Sequence, residues 1–292
     1  MSYYKILGFE KEPFSTSPDP EFFYLSKEHE AALNNVLIDL RLKRGLSVIL
    51  GDVGTGKTTL SRKLIQELKM REDFIFHFIL DPSFEDEKSF LRSLLRNLDI
   101  ECETWPAGAE PTVMDMRESL EKFLFKKGVT ENKTVTLIID EAQKLSESSL
   151  EVLRVFLNFE TNKFKLLQIV LMGQLELHAK IVDIPNFLDR ISFKYTLNPL
   201  DLEETREIIE FRVRQGGYTS SMRIFLEEAV REIHQYSKGY PRRIIMLCHK
   251  ALKRLILTSK MAVDAELIRE LIDEEKQSGW YRESLLPQKN SC

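Results

Sequence analysis

The sequence predicts an α/β fold: a mostly parallel sheet with helices on both faces, three layers in all, followed by a small all-helical domain. Three observations predict it. Short apolar runs alternate with stretches of helical period from residue 26 to about 197. A glycine-rich turn joins the first apolar run directly to a helix, Gly51 through Thr58. After Pro199 every periodic stretch is helical. The expected organisation is therefore 1–200 as the core with an amino-terminal arm, 201–275 as the helical domain and 276–292 as a tail.

Taken in order, residues 1–25 carry seven aromatic residues and three prolines, among them Phe9, Phe14, Pro13 and Pro18. So many rings need something to pack against, which reads as an ordered extended arm. Ser26 to Arg44 has Ala32, Leu33, Val36, Leu37 and Leu40 at helical spacing, with Ser26 as N-cap. Leu46–Leu50 is a short apolar run, hence a buried strand, and Thr58–Lys69 the helix after it. Strands are expected at Phe74–Leu80, Thr134–Ile139, Leu166–Met172 and Lys194–Leu197. Helices are expected at Phe84–Leu98, Val113–Lys127 and Ser146–Phe159, with a loop over 101–112. The helical domain reads as Leu202–Gln215, Met222–Ser237, Arg242–Thr258 and Asp264–Glu275.

Hydrophobic residues make up 43% of the 292 and charged ones 30%, the balance of a soluble globular chain. A net charge of -4 argues against a protein dominated by nucleic-acid binding and leaves room for a local basic face. Cys102, Cys248 and Cys292 have neither metal-ligand spacing nor the number for a disulfide framework, so they read as reduced thiols. The first residues lack a basic stretch followed by an apolar one, and no run reaches ~18 apolar residues. The expectation is a cytoplasmic protein without direct membrane insertion, any association with the inner membrane being made through a partner.

The chemistry lies in two segments. Gly51-Asp52-Val53-Gly54-Thr55-Gly56-Lys57-Thr58 fits the phosphate-loop pattern, with Thr59 continuing into the helix. Glycines let the backbone curl and aim its N–H groups at phosphate oxygens, and the helix N-terminus adds its dipole. Lys57 is placed for the β- and γ-phosphates, and the Thr58 hydroxyl for Mg²⁺. The second segment, Thr134 to Glu141, is an apolar strand ending in two acids. At the carboxyl edge of a parallel strand, Asp140 would hold Mg²⁺ through water and Glu141 would polarise the attacking water. Mg·ATP is the implied ligand. Gln174, just past a third apolar strand, is in reach of the γ-phosphate or the water, or is simply a strand-end turn. Arg190 and Arg242 are candidates to stabilise a transferring phosphate, although a single arginine is more often a surface charge.

Together GDVGTGKTTL, LIIDEAQKLS, LEVLRVFLNFET, KLLQIVLMGQLEL and SKGYPRRI, in that order, resemble the AAA+ ATPases of the ExeA/GspA secretion-assembly group and the similar MSHA pilus-biogenesis ATPases. The opening segment, YKILGFEKEPFSTSPDPEFFYLSKEHEAAL, is also similar, so the resemblance spans roughly 3–260. It implies a P-loop core with Walker A at Gly51–Thr58 and Walker B ending at Asp140 and Glu141. It also implies Gln174 as first sensor, Arg190 as arginine finger and Arg242 as second sensor on a helical lid. Tyr24 and His29 stand where the adenine-flanking segment would be. An ATP-promoted homo-oligomer, ring or helical, is implied as well. The larger members of that group carry a membrane span and a periplasmic domain, neither of which appears through Cys292; that points to a short cytoplasmic form.

Three functions compete at this stage. The first is an ATP-hydrolysing protein that assists assembly of a secretion or pilus machine and docks on a component of it. The second is an ATP-dependent, DNA-binding regulator of transposition, suggested by Lys238, Arg242, Arg243, Lys250, Lys253 and Arg254 in the helical domain. The third is a nucleotide-gated scaffold. A solvated helix face explains the basic residues more simply than DNA does.

Overall fold

Leu46–Gly51 (β1), Phe74–Ile79 (β2), Thr134–Ile139 (β3), Leu167–Gly173 (β4) and Ile191–Leu197 (β5) form one sheet in the order β2-β3-β4-β1-β5, all neighbours parallel. The computed structural model describes residues 3–16, 19–100 and 110–278. Strands β3 and β4 are buried at every position, which is why the sequence shows them as unbroken apolar runs. Edge strand β5 alternates half-buried and exposed residues up to Leu197. Its exposed Ser192, Lys194 and Thr196 break the apolar pattern, so the sequence begins this strand three residues late, at Lys194.

The sheet belongs to a unit spanning Lys27–Asn198. Its helices are α2 (Lys27–Arg41), α3 (Lys57–Lys69), α4 (Glu87–Asn97), α5 (Val113–Phe125), α6 (Glu147–Phe156) and α7 (Glu176–Val182). Phe90 and Leu94 of α4, Leu120 of α5, and Leu153 and Phe156 of α6 share one apolar core with Leu137 of β3 and Ile169 of β4. Each such side chain contributes ~1.5–3 kcal/mol on burial. Helix α4 starts at Glu87 rather than Phe84, because the Asp86 carboxylate accepts from Ser89 N and the Ser89 hydroxyl meets Asp86 N. Beyond α5 the chain passes through a π-helical turn, Lys126–Thr130. Helix α7 is absent from the sequence reading: it is seven residues long and buries only Leu177 and Ile181, too short a period to register.

The second unit comprises Met1–Ser26 and Pro199–Cys292. It holds α1 (Tyr3–Ile6), α8 (Leu202–Gln215), α9 (Glu227–Ser237), α10 (Pro241–Thr258) and α11 (Ala265–Gln277). Here the structure corrects the assignment of the arm to the sheet-bearing core. Phe9 and Phe14 are 3% and 1% exposed in the same apolar cluster as Ile208, Ile233, Leu252 and Ile268. Arg212 of α8, also buried, donates to Pro13 O and Ser15 O, both at 3.1 Å. Burial pushes its guanidinium pKa down to about 10. Nor is the arm uniformly extended, since it contains α1 and a short 3-10 turn, Pro20–Phe22. Helix α9 begins five residues after the expected Met222, because Phe225 is used in a parallel bridge to Val263. Cys248 is a buried free thiol whose pKa burial raises. Pro18, Cys102 with most of the 101–112 loop, and Cys292 with the tail from 279 lie outside the described residues.

Candidate functional site

The phosphate-loop segment hangs between β1 and α3. Gly54 and Gly56 take φ of +89° and +98°, the left-handed region in which a side chain is strained. The Thr55 hydroxyl donates to Asp52 O at 2.9 Å. From α2, His29 Nε2 donates to Thr55 O at 2.8 Å, so a neighbouring helix pins the loop backbone. His29 is 2% exposed, and burial holds its pKa below the ordinary value, which keeps the ring neutral. The Lys57 ammonium folds back to donate to Gly51 O at 2.7 Å and Asp52 O at 2.9 Å. Burial lowers its pKa, against the pull of Glu141, Asp140, Asp52 and Glu176.

At the end of β3, Asp140 is fully buried. Its Oδ1 accepts from Glu141 N at 2.9 Å, and the Thr58 hydroxyl also bonds the carboxylate. Burial nevertheless pushes its pKa up. Its Oδ2 is buried with no hydrogen-bond partner. Such an orphan costs ~1–3 kcal/mol unless a bound group satisfies it. A hydrated divalent cation beside Thr58 fits the donor set. Glu141 has φ of +49°, uncommon for a side-chain-bearing residue and typical of places where function fixes the backbone.

A residue that the motif reading passed over links these pieces. Gln143 Nε2 donates to Glu141 Oε2 at 2.6 Å, while Gln143 Oε1 accepts from Gln174 N at 3.1 Å. Gln143 thus joins the end of β3 to the tip of β4. Lys180 of α7 steadies the same loop by donating to Gln143 O at 2.6 Å and Leu145 O at 3.0 Å. Gly173 makes the approach feasible: a Cβ there would lie 2.8 Å from Leu177 Cδ2 and 3.3 Å from Gln143 N. The signal for Gln143 was its place two residues after Glu141; nothing in sequence spacing marks Lys180.

Adjacency of β3, β4 and β1 therefore gathers Gly51–Thr59, Asp140, Glu141 and Gln174 at the carboxyl edge of the sheet. Arg190 is not among them. Register pairs Leu46 with Ile191 and Gly51 with Leu197, so Arg190 sits at the opposite end of the strands. The strand between the two ends is about 17 Å long, five steps of ~3.3 Å from Leu46 to Gly51. Its Nε is buried without a hydrogen-bond partner. Arg242 lies in the first turn of α10 in the helical unit. Tyr24 belongs to that unit too, and its hydroxyl bonds Glu207.

The AAA domain family matches residues 40–181, from the end of α2 into α7. The chain carries an AAA domain. It is 32% identical over 252 residues to general secretion pathway protein A of Aeromonas hydrophila, covering 86% of this chain and 44% of that protein. The chain thus spans less than half the length of that curated relative. Among solved structures, the ADP form of the Aeropyrum pernix ORC2 protein superposes with a TM-score of 0.64 at 20% identity, covering 91% of this chain and 73% of that one. The Aeropyrum pernix ORC1 protein in complex with DNA gives 0.60 at 16% identity, covering 93% and 72%. At such identities the likeness establishes the fold: the AAA+ form of the P-loop NTPase sheet, followed by helices. This AAA+ chain is related to general secretion pathway protein A, and nucleotide binding goes with its fold.

Proposed function

We propose that the chain binds Mg·ATP at Gly51–Thr59, hydrolyses it, and uses the cycle to assist assembly of a secretion or pilus machine in the cell envelope. The observation that carries the ATPase reading is the buried Asp140 Oδ2, unpartnered and beside Thr58, at the strand end next to the loop. Thr58 would hold Mg²⁺ directly and Asp140 through water; the ion supplies charge neutralisation on the phosphates. Lys57 would leave Gly51 O and Asp52 O for the β- and γ-phosphates, exchanging carbonyl dipoles for full charges. Glu141 would polarise the attacking water and take its proton as general base. Gln143 holds the Glu141 carboxylate and answers to the position of Gln174. Arg242, in the first turn of α10, is the residue that the family resemblance offers for the γ-phosphate.

Arg190 stands a strand's length from its own loop, which supports service to a neighbour's phosphate within an ATP-promoted ring or helical assembly. Arg190→Ala and Lys57→Ala proteins should each be inactive, and their mixture should recover part of the activity. No recovery in mixtures that co-assemble on sizing would overturn service in trans.

The envelope role rests on the relationship to general secretion pathway protein A. It is tested by replacing the gene with its Glu141→Gln form and scoring assembled secretion or pilus complexes. Normal assembly would remove that role and leave the ATPase standing. The transposition reading gains less support. Two of its basic residues are tied to acids of α11: Lys250 to Glu275, and Arg254 to Glu274 at 2.5 Å.

A further inference from the structure

The other edge of the sheet carries a feature that the nucleotide reaction does not use. Four loops deliver the chain into the amino-terminal ends of β1, β2, β3 and β4: residues 41–45, 71–73, 126–133 and 160–165. They are stitched side by side. Lys165 N donates to Lys43 O at 3.1 Å, Lys43 Nζ to Lys133 O at 3.4 Å, and Thr134 N to Asp73 O at 2.8 Å. The result is one continuous rim.

This rim is basic in a chain whose net charge is -4. Three of its cations are matched, in the pairs Arg71–Asp73, Lys127–Glu131 and Lys165–Glu160. Arg41, Lys43, Arg44, Lys126, Lys133 and Lys163 form no salt bridge among the described residues, and Glu72 is the acid left over. Apolar side chains stand out of the same surface: Leu42 is 53% exposed, Phe125 55% and Val129 43%. Phe125 and Val129 are four residues apart where α5 enters its π turn, so they share a face.

We propose that this rim is a direct docking surface for an anionic membrane, with lysine and arginine heads on lipid phosphates and Leu42, Phe125 and Val129 entering the headgroup layer. A duplex backbone would engage the cations but offers nothing to exposed aliphatic groups, whereas a lipid interface takes both. Peripheral contact also suits a chain in which no described helix is long and apolar enough to cross a membrane. The inference draws nothing from the phosphate loop and its acids, which lie at the far ends of the same strands; Arg190, before β5, belongs to none of the four loops.

The test is co-sedimentation of the full chain with vesicles of pure phosphatidylcholine and with vesicles in which about a third is phosphatidylglycerol. Binding should be confined to the anionic vesicles. A triple variant, Arg44→Glu with Lys126→Glu and Lys163→Glu, should bind roughly a hundredfold more weakly, since each basic residue near such a surface contributes roughly fivefold (about 1 kcal/mol). Leu42→Ser with Phe125→Ser should weaken binding further at high salt than at low, because the apolar share survives screening. Should the triple variant melt early, Lys163→Glu alone, on an exposed turn, carries the test with about a fivefold loss. Equal binding to neutral vesicles, or triple-variant binding at the parental level, would overturn the proposal. So would a DNA duplex that binds as tightly as the vesicles and loses affinity through the charge reversals but not through the serine substitutions.

Discussion

The two edges of one sheet are built in opposite styles, and the two proposed activities ask for that difference. At the carboxyl edge, Lys57, His29, Asp140 and Gln143 are each tied by hydrogen bonds, and Lys57, His29 and Asp140 are buried. At the amino edge four of the cations that form no salt bridge among the described residues, Arg41, Arg44, Lys126 and Lys163, are exposed. Phosphoryl transfer needs groups fixed in position, and fixing them requires burial with partners. Attraction to a charged sheet of lipid needs charge density and a few exposed apolar groups, which flexible side chains supply. Substitutions should therefore act steeply at the first edge and additively at the second.

The steepest case is Lys57→Ala. Nucleotide affinity should fall by about a hundredfold or more, a loss of ~3 kcal/mol or above for a charge-assisted contact with two phosphates. A fluorescent-nucleotide titration reads it, and an unchanged affinity would break the comparison outright. Next is Glu141→Gln, which should keep nucleotide affinity while turnover drops ~10²–10⁴-fold, the range for a lost general base. Parental turnover would take Glu141 out of the chemistry. Gln143→Ala should come third. It frees the Glu141 carboxylate and the Gln174 amide without touching the loop, so kcat should fall roughly ten- to a hundredfold, one hydrogen bond to a charged group being worth ~1.5–3 kcal/mol. Nucleotide affinity should stay put; a matching loss of affinity would make Gln143 a structural brace and no more.

The smallest effect concerns His29. Because its native pKa lies below the ordinary ~6.5, its contribution is whole above that pH and is lost as pH falls through the depressed value. The melting temperature of the parent should thus drop more between about pH 7.5 and 5.5 than that of His29→Gln, whose amide can still donate to Thr55 O. Parallel profiles would mean the ring does not hold the loop in the way its geometry indicates.

Legibility in the sequence follows the same division. The loop from Gly51 and the strand ending at Asp140 announce themselves because the function proposed for them depends on local order along the chain. The buried strands β3 and β4 are equally plain as apolar runs. Gln143 escaped notice because its importance lies in two partners, one 31 residues away. The basic rim is invisible for a related reason: its cations arrive from four separate loops, and none of those loops is a charge run by itself. Aromatic density shows that the rings of the arm must be buried, but not in which unit, and the structure places them with the helices.

That arm has a consequence for how the protein is made. Arg212 reaches carbonyls of Pro13 and Ser15 across 199 and 197 residues, and Gln215 reaches Glu21 O across 194. The helical unit is therefore discontinuous, and its first piece leaves the ribosome long before the rest. Until α8 emerges, Phe9 and Phe14 have no native cluster to enter, while the whole sheet-bearing unit can already have formed between them. Closing so long a loop is slow unless an intervening folded body shortens it. The order of synthesis thus lets the sheet-bearing unit fold before the helical unit can close, and a slow-folding sheet should show itself first as a late-maturing helical unit.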